Sequence, residues 1–124
     1  MKTENCPFCH IDREILMENK FCFAIYDKYP VNEGHVLVVT RRHIGDYFEL
    51  GREEADALWK MIGEAKQFIE EKYKPDGFNV GFNLGETAGQ TIDHVHIHVI
   101  PRYSGDMEDP TGGVRNVIPE RGRY

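Results

Sequence analysis

The chain contains the stretch His94-Val95-His96-Ile97-His98-Val99-Ile100-Pro101, in which histidine alternates with aliphatic residues. Successive side chains of a β-strand lie on opposite faces, so this pattern predicts a strand from His94 to Ile100 that ends at Pro101. The three imidazoles would then project from one face of a sheet. The valine and isoleucine side chains would pack against the core on the other face.

Three interpretations of this histidine row imply different chemistry. The histidines could be ordinary surface side chains with no function. They could be the ligands of one catalytic zinc, but His94 and His98 lie about 13 Å apart along a straight strand, whereas zinc–ligand bonds are about 2 Å long. A row of imidazoles is better suited to one nucleophile whose neighbours orient it and hold its target, and we favour that interpretation.

The fold class follows from the patterns on either side of one long helix. Apolar residues recur at helical spacing from Arg52 to Tyr73, which predicts an amphipathic helix that Pro75 and Gly77 terminate. Runs of β-branched and aromatic residues predict strands at residues 21–26, 35–40 and 78–83. Strands before and after a single helix indicate an α+β protein built on a mainly antiparallel sheet.

Length and composition limit the partners. The 124 residues are expected to form one domain, 1–124, with an irregular tail from about residue 103. Fifteen Lys and Arg against 21 Asp and Glu give a net charge of -6, which does not suit binding to a nucleic acid polymer. The polar start Met1–Asn5 and the lack of a long apolar run indicate neither a signal peptide nor a membrane partner. With three cysteines, an odd number, we expect a cytoplasmic protein.

A glycine-bearing segment precedes the histidine strand. Residues 85–91, Gly-Glu-Thr-Ala-Gly-Gln-Thr, supply two glycines, two hydroxyls and an amide. Such a turn can direct several backbone N–H groups at an anion, so it predicts a local phosphate site in an otherwise acidic protein. By itself this signal is weak, but its position beside the histidines favours a phosphorylated substrate.

The motif Cys6-Pro7-Phe8-Cys9 has two interpretations. A redox-active C-x-x-C normally begins a helix in a βαβ context, which this N-terminal stretch lacks. As half of a zinc site the motif needs two further ligands, and His10 is one possible ligand by proximity. The zinc interpretation is favoured.

Together these segments resemble the histidine-triad (HIT) family of nucleotide hydrolases and transferases. The resemblance rests on Gly34-His35-Val36-Leu37-Val38, Ala88-Gly89-Gln90-Thr91 and the stretch 94–101, and it extends from about Cys6 to Pro101. It is closest to the branch of dinucleoside polyphosphate hydrolases of the fragile-histidine-triad kind. It implies a five-stranded sheet with one long helix and a homodimer in which two such sheets join.

The resemblance also implies a role for each histidine. His96 would attack the α-phosphorus to form a covalent nucleotidyl-histidine, and His98 would hold phosphate oxygens. His94 would orient His96 through its backbone carbonyl, and His35 would join the same hydrogen-bond network. The implied substrate-binding residues are Asn83, Gln90, Thr91, Gly89, Asp27, Phe8, Ile11 and Ile25.

Relatives that keep both cysteines bind a structural zinc with two further histidines. The matching positions here are His43 and His94, so the resemblance implies a site made of Cys6, Cys9, His43 and His94.

The expected function is hydrolysis or transfer at the α-phosphate of a nucleotide conjugate, preferably a dinucleoside polyphosphate. A nucleoside phosphoramidase or a dinucleoside polyphosphate phosphorylase would use the same residues. A nucleotide-binding scaffold is the alternative from another class, although a scaffold has no use for a nucleophile. Arg102 and Arg115 in the tail leave open whether water or phosphate resolves the intermediate.

Overall fold

A computed structural model describes residues 4–124 of the chain. The first three residues of the expected domain, which begin the polar stretch Met1–Asn5, lie outside the described residues. In chain order the regular elements are β1 (Met17–Glu18), β2 (Cys22–Tyr26), β3 (Val36–Thr40), α1 (Arg52–Tyr73), β4 (Gly77–Gly81) and β5 (His96–Arg102). Short 3-10 turns occupy Tyr47–Glu49, Glu86–Ala88, Gly113–Val117 and Pro119–Arg121.

The five strands form one sheet in the order β1-β2-β3-β5-β4, and every neighbouring pair is antiparallel. The predicted α+β class, with a five-stranded antiparallel sheet and one long helix, is confirmed. No helix between residues 4 and 124 combines the length and apolarity that a membrane crossing requires.

Helix α1 has the predicted bounds because its ends are defined by local sequence. The Glu54 carboxylate accepts a hydrogen bond from the Gly51 N–H at 3.2 Å, which satisfies one of the free donors at the N-terminus. At the other end Lys74 adopts a left-handed conformation (φ 53°) immediately before Pro75, which cannot continue a helix. The helix packs against one face of the sheet, where it contacts Val95, Ile97 and Val99 of the histidine stretch. The buried side chains of the helix are Leu58, Met61, Ala65 and Ile69.

The opposite face of the sheet carries the histidines. Leu37 pairs with His98 and Val39 with His96 across β3 and β5, so these four side chains share that face. A second buried cluster covers part of it and consists of Cys6, Phe8, Phe23, Ile25, Leu37 and Val39. The alternation seen in the sequence therefore separates an aliphatic face under α1 from a histidine face.

The prediction that Pro101 ends the histidine strand is wrong. Strand β5 begins at His96 and continues through Pro101 to Arg102. The Pro101 carbonyl faces the β3 side of β5 and accepts a hydrogen bond from the Asn32 side chain at 2.9 Å. Strand β3 does not reach this position, because its first residue, Val36, pairs with Val99. Since N–H and C=O of a strand residue point the same way, the N–H that proline lacks is not needed in the ladder.

Two other strand boundaries also differ. Strand β4 ends at Gly81, so Asn83 lies in the loop that follows rather than in the predicted strand 78–83. The residues before β5 leave the ladder because the Val95 N–H donates to the Ile44 carbonyl at 2.7 Å. Both shifts lengthen the loop that passes over the histidine face.

Candidate active site

A cavity of about 1000 Å³ opens above the histidine face. His35, His96 and His98 line it, and five of the eight predicted substrate-binding residues do so as well: Phe8, Asp27, Asn83, Gly89 and Thr91. The fold therefore brings most of the predicted site together around one pocket.

His96 has its tautomer fixed by the backbone. Its Nδ1 lies 2.7 Å from the carbonyl oxygen of His94. A carbonyl can only accept, so Nδ1 carries the proton and donates, and Nε2 of the neutral ring keeps its lone pair. His96 thus lines the cavity as an imidazole with a free nucleophilic nitrogen.

His98 has the opposite tautomer, which is determined through His35. The Val31 N–H donates to His35 Nδ1 at 3.0 Å, so the proton of the neutral His35 ring is on Nε2. His35 Nε2 lies 3.0 Å from His98 Nδ1 and donates to it. The proton of His98 is therefore on Nε2, where it can donate to an anion.

The His35 and His98 rings are neutral at neutral pH because burial lowers the pKa of each. Burial, with smaller contributions from the neighbouring His35 and His96 rings, lowers the pKa of His98 to about 4. Burial also lowers the pKa of His35, although the Asp27 carboxylate 3.3 Å from its Nε2 opposes this effect. A lone pair on His96 and an N–H on His98 are what attack on a phosphorus and binding of its oxygens require.

The structure does not make the three histidines of the strand into one metal site. His96 Nδ1 is used by a carbonyl, and the His94 ring is fully buried away from the cavity. Asp27, His35 and His98 do place their polar atoms within 4.8 Å of one another. However, His35 would have to lose its Nε2 proton to ligate there, because Val31 already occupies Nδ1.

Three predicted substrate-binding residues lie outside the cavity lining. Ile25 is fully buried in the cluster beneath Phe8, and Ile11 packs against the same cluster. The Gln90 amide is used by the protein backbone: Oε1 accepts from the Gly85 N–H of the same loop at 2.8 Å, and Nε2 donates to the distant Gly45 carbonyl at 2.9 Å. Gln90 therefore holds the loop in place instead of facing a ligand.

The same loop directs fewer donors at the cavity than the sequence predicted. The N–H groups of Ala88, Gly89 and Gln90 all donate to carbonyls inside the turn. Gly85 and Gly89 have φ of 90° and 94°, which closes the loop into a compact turn. Thr91 and Gly89 remain at the cavity.

Cys6, Cys9, His43 and His94 form a compact cluster behind His96. Their ligand atoms all lie within 4.8 Å of one another, and His94 Nδ1 is 3.2 Å from both Cys6 Sγ and His43 Nδ1. Ligand atoms around a tetrahedral zinc are about 3.3–3.8 Å apart. His94 Nε2 donates to the Thr40 carbonyl at 2.7 Å, which leaves its Nδ1 unprotonated toward the cluster. This donor set and tautomer fit zinc, whereas His10 lies elsewhere, at the cavity.

Two parts of the site were not found from the sequence. Val31 acts through its backbone, which no residue pattern reveals. Part of the C-terminal tail also lines the cavity, namely Gly113, Val114, Asn116 and Val117. The only sequence signal for the second part was the pair Gly112-Gly113, which marks a turn but not its position.

The chain is similar to known proteins of one family. The HIT domain family model matches residues 9–105. The bis(5'-adenosyl)-triphosphatase of Dictyostelium discoideum is 38% identical over 103 residues, which cover 83% of this chain and 69% of that protein. An AP-4-A phosphorylase of Mycobacterium tuberculosis is 37% identical over 109 residues, 86% of this chain and 55% of that protein, so the chain spans about half of that relative.

Solved structures show the same fold. A HIT family protein from Bacillus anthracis superposes with a TM-score of 0.78 at 34% identity, over 85% of this chain and 78% of that chain. A zinc-bound histidine triad family protein from Mycobacterium smegmatis gives a TM-score of 0.75 at 30% identity, over 85% of this chain and 80% of that chain.

Proposed function

This chain belongs to the HIT domain family, and we propose that it is an enzyme that cleaves dinucleoside polyphosphates or related nucleotide conjugates at the α-phosphate. The observation that carries the proposal is the hydrogen bond from His96 Nδ1 to the His94 carbonyl, because it frees Nε2 to attack. Relatives named as a triphosphatase and a phosphorylase support this class of substrate.

The reaction would proceed in two displacements at the same phosphorus. The lone pair of His96 Nε2 forms an N–P bond while the P–O bond to the remaining phosphates breaks, and the departing oxygen takes the electron pair. His98 would donate a hydrogen bond from its Nε2–H to an oxygen of the phosphate chain. An acceptor then attacks the phosphorus, the N–P bond breaks, and His96 recovers its lone pair.

The nucleotide would lie with its ribose at Asp27 and its phosphates between His98 and the loop residues Asn83 and Thr91. Asp27 accepts from the Tyr29 N–H at 2.8 Å, which holds one carboxylate oxygen in place. All four residues line the cavity. Zinc at Cys6, Cys9, His43 and His94 would serve a structural role and fix the strand segment whose carbonyl orients His96.

We expect water rather than phosphate to be the acceptor. A phosphorolytic site needs a cation for the incoming anion. Of the two tail arginines considered from the sequence, Arg102 is paired with Asp106 at 2.8 Å and lies outside the cavity lining. Arg115 Nε donates to the Gly122 carbonyl at 3.0 Å, so it too is occupied. Both arrangements favour hydrolysis.

Incubation of the protein with diadenosine tetraphosphate in ¹⁸O-water with added phosphate tests the function and the acceptor together. Label should enter AMP, with little ADP formed by capture of phosphate. If unlabelled ADP forms instead and increases with phosphate concentration, the enzyme is a phosphorylase and not a hydrolase. No turnover of the dinucleotide would contradict the proposed function itself.

We also propose a homodimer that pairs β4 with β4 of a second copy. Among the described strands β4 pairs only with β5, so its other edge carries unpaired backbone groups, and Val80 on it is 39% exposed. Light scattering should give the mass of two chains. Substituting Val80 by proline should shift that mass toward one chain, and a single-chain mass for the unchanged protein would contradict the dimer.

A further inference from the structure

The C-terminal segment 109–124 forms a wall of the cavity that contains the nucleophile. Gly113, Val114, Asn116 and Val117 line the cavity together with His96. This segment lies beyond residues 9–105, which the family model matches. It is therefore a feature of the site that the family match does not describe.

The wall is held together by its own contacts. Arg115 Nε donates to the Gly122 carbonyl at 3.0 Å, and Asn116 Nδ2 donates to the Thr111 carbonyl at 3.2 Å. Arg123 pairs with Asp109 at 3.0 Å. The guanidinium of Arg115 also lies 5.0 Å from the ring centre of Tyr124. These contacts close the segment on itself, so the wall is preformed rather than assembled by a ligand.

A polar network beside the wall holds the preceding segment, residues 102–106, to the sheet. Arg102 Nη1 donates to Asn79 Oδ1 at 2.7 Å and its Nη2 to Asp106 at 2.8 Å. Asp106 also accepts from the Asn32 side chain at 2.8 Å, and these partners hold the pKa of its carboxyl well below its usual range. Gly113 lies against the same network, since a Cβ there would be 3.3 Å from Asn79 Nδ2.

The wall and Asp27, the residue proposed to bind the ribose, lie on opposite sides of the histidines. In the sheet, β4 and β2 lie on opposite sides of the pair β3 and β5. Asn79 on β4 contacts the wall, whereas Asp27 directly follows β2. The pocket therefore has one wall at Asp27 for a first nucleoside and a second wall at 109–124.

The chemistry of the second wall is apolar. Val114 and Val117 are 64% and 80% exposed although both line the cavity, and they lie three residues apart in the 3-10 segment Gly113–Val117, which is kinked at Asn116. The Arg115 guanidinium is directed into the segment, and the Asn116 amide is used by Thr111. Such a surface suits a planar, weakly polar base better than a phosphate. The cavity, at about 1000 Å³, is at the top of the usual range for small-molecule sites, about 300–1000 Å³.

We propose that Val114 and Val117 form the binding surface for the second nucleoside base of a dinucleoside polyphosphate. This inference rests on the proposed function and adds the residues that select a substrate with two nucleosides over one with a single nucleoside. The wall binds the departing half of the substrate and takes no part in the attack at phosphorus.

The test compares diadenosine tetraphosphate with adenosine 5′-tetraphosphate, which lacks the second nucleoside and carries a further ionisable oxygen in its place. Calorimetry in a His96→Ala background gives the Kd of each without turnover. We expect the dinucleotide to bind about tenfold more tightly than the mononucleotide, as apolar contacts of this size give. Val114→Ser with Val117→Ser should bring the ratio of the two Kd values close to one.

The matched control is Ile118→Ser, which removes an exposed aliphatic side chain of the same segment outside the cavity lining. This variant should have the same ratio of the two Kd values as the His96→Ala protein. The role of the two valines would be overturned if the double variant kept the parent's ratio of Kd values, or if it lost affinity for both ligands equally. Failure of the parent to bind either ligand would instead contradict the proposed function.

Discussion

Replacement of His96 by alanine should lower the turnover of diadenosine tetraphosphate by about three orders of magnitude or more. His96 is the ring at the cavity whose Nε2 is left unprotonated by a hydrogen bond to a carbonyl. The Nε2 of His98 carries a proton, so this neighbour cannot replace His96 as the nucleophile. A thousandfold loss corresponds to about 4 kcal/mol of transition-state stabilisation.

Binding distinguishes a lost nucleophile from a lost fold. The His96→Ala variant should still bind AMP, because Asp27, Asn83 and Thr91 remain at the cavity. Its zinc content should match that of the parent protein, since the four clustered side chains are unchanged. Retention of more than about a tenth of the activity would contradict covalent catalysis by His96.

Loss of zinc should have the second large effect, on stability. The double variant Cys6→Ser, Cys9→Ser removes both thiolates of the cluster and should contain no bound zinc. Because binding energy of a structural metal is folding energy, its melting temperature should fall by more than about 10 °C. Elemental analysis and thermal unfolding measure the two outcomes.

Cys22→Ala is the matched control, since Cys22 is buried under α1 and lies outside the cluster. It should keep about one zinc per chain. Full zinc content in the double variant would exclude the site made of Cys6, Cys9, His43 and His94. Activity that is lost on gentle chelation while the fold stays intact would favour a metal-dependent hydrolase.

The elements that local sequence determines were predictable. Helix α1 begins and ends where Gly51 and Pro75 require it, and the alternation within 94–100 assigns each side chain to its face. Strand β1 has two residues, too few for any pattern, and was not predicted. The extension of β5 through Pro101 depends on pairing with β4, where Phe78 lies opposite Pro101 and Gly77 opposite Arg102.

In the site, too, features determined by local sequence were predictable, and features determined by distant contacts were not. The alternating pattern identified His94, His96 and His98 as site residues, and the family resemblance identified His35 and Asp27. The structure places them at one cavity or directly behind it. The use of the Gln90 amide by the backbone depends on Gly45, far away in sequence. Gly113, next to Val114 in the chain, lies against Asn79 of β4, which is also far away in sequence. Such long-range contacts have no signature in the chain.

The most direct measurement is a search for the nucleotidyl-histidine during turnover. The protein is mixed with diadenosine tetraphosphate, quenched into alkaline denaturant because the N–P bond is labile once protonated, and analysed by peptide mass spectrometry. We expect one adenylyl group on the peptide that contains His96, and none in the His96→Ala variant. Steady turnover without any adduct, or an adduct on another residue, would contradict the role of His96.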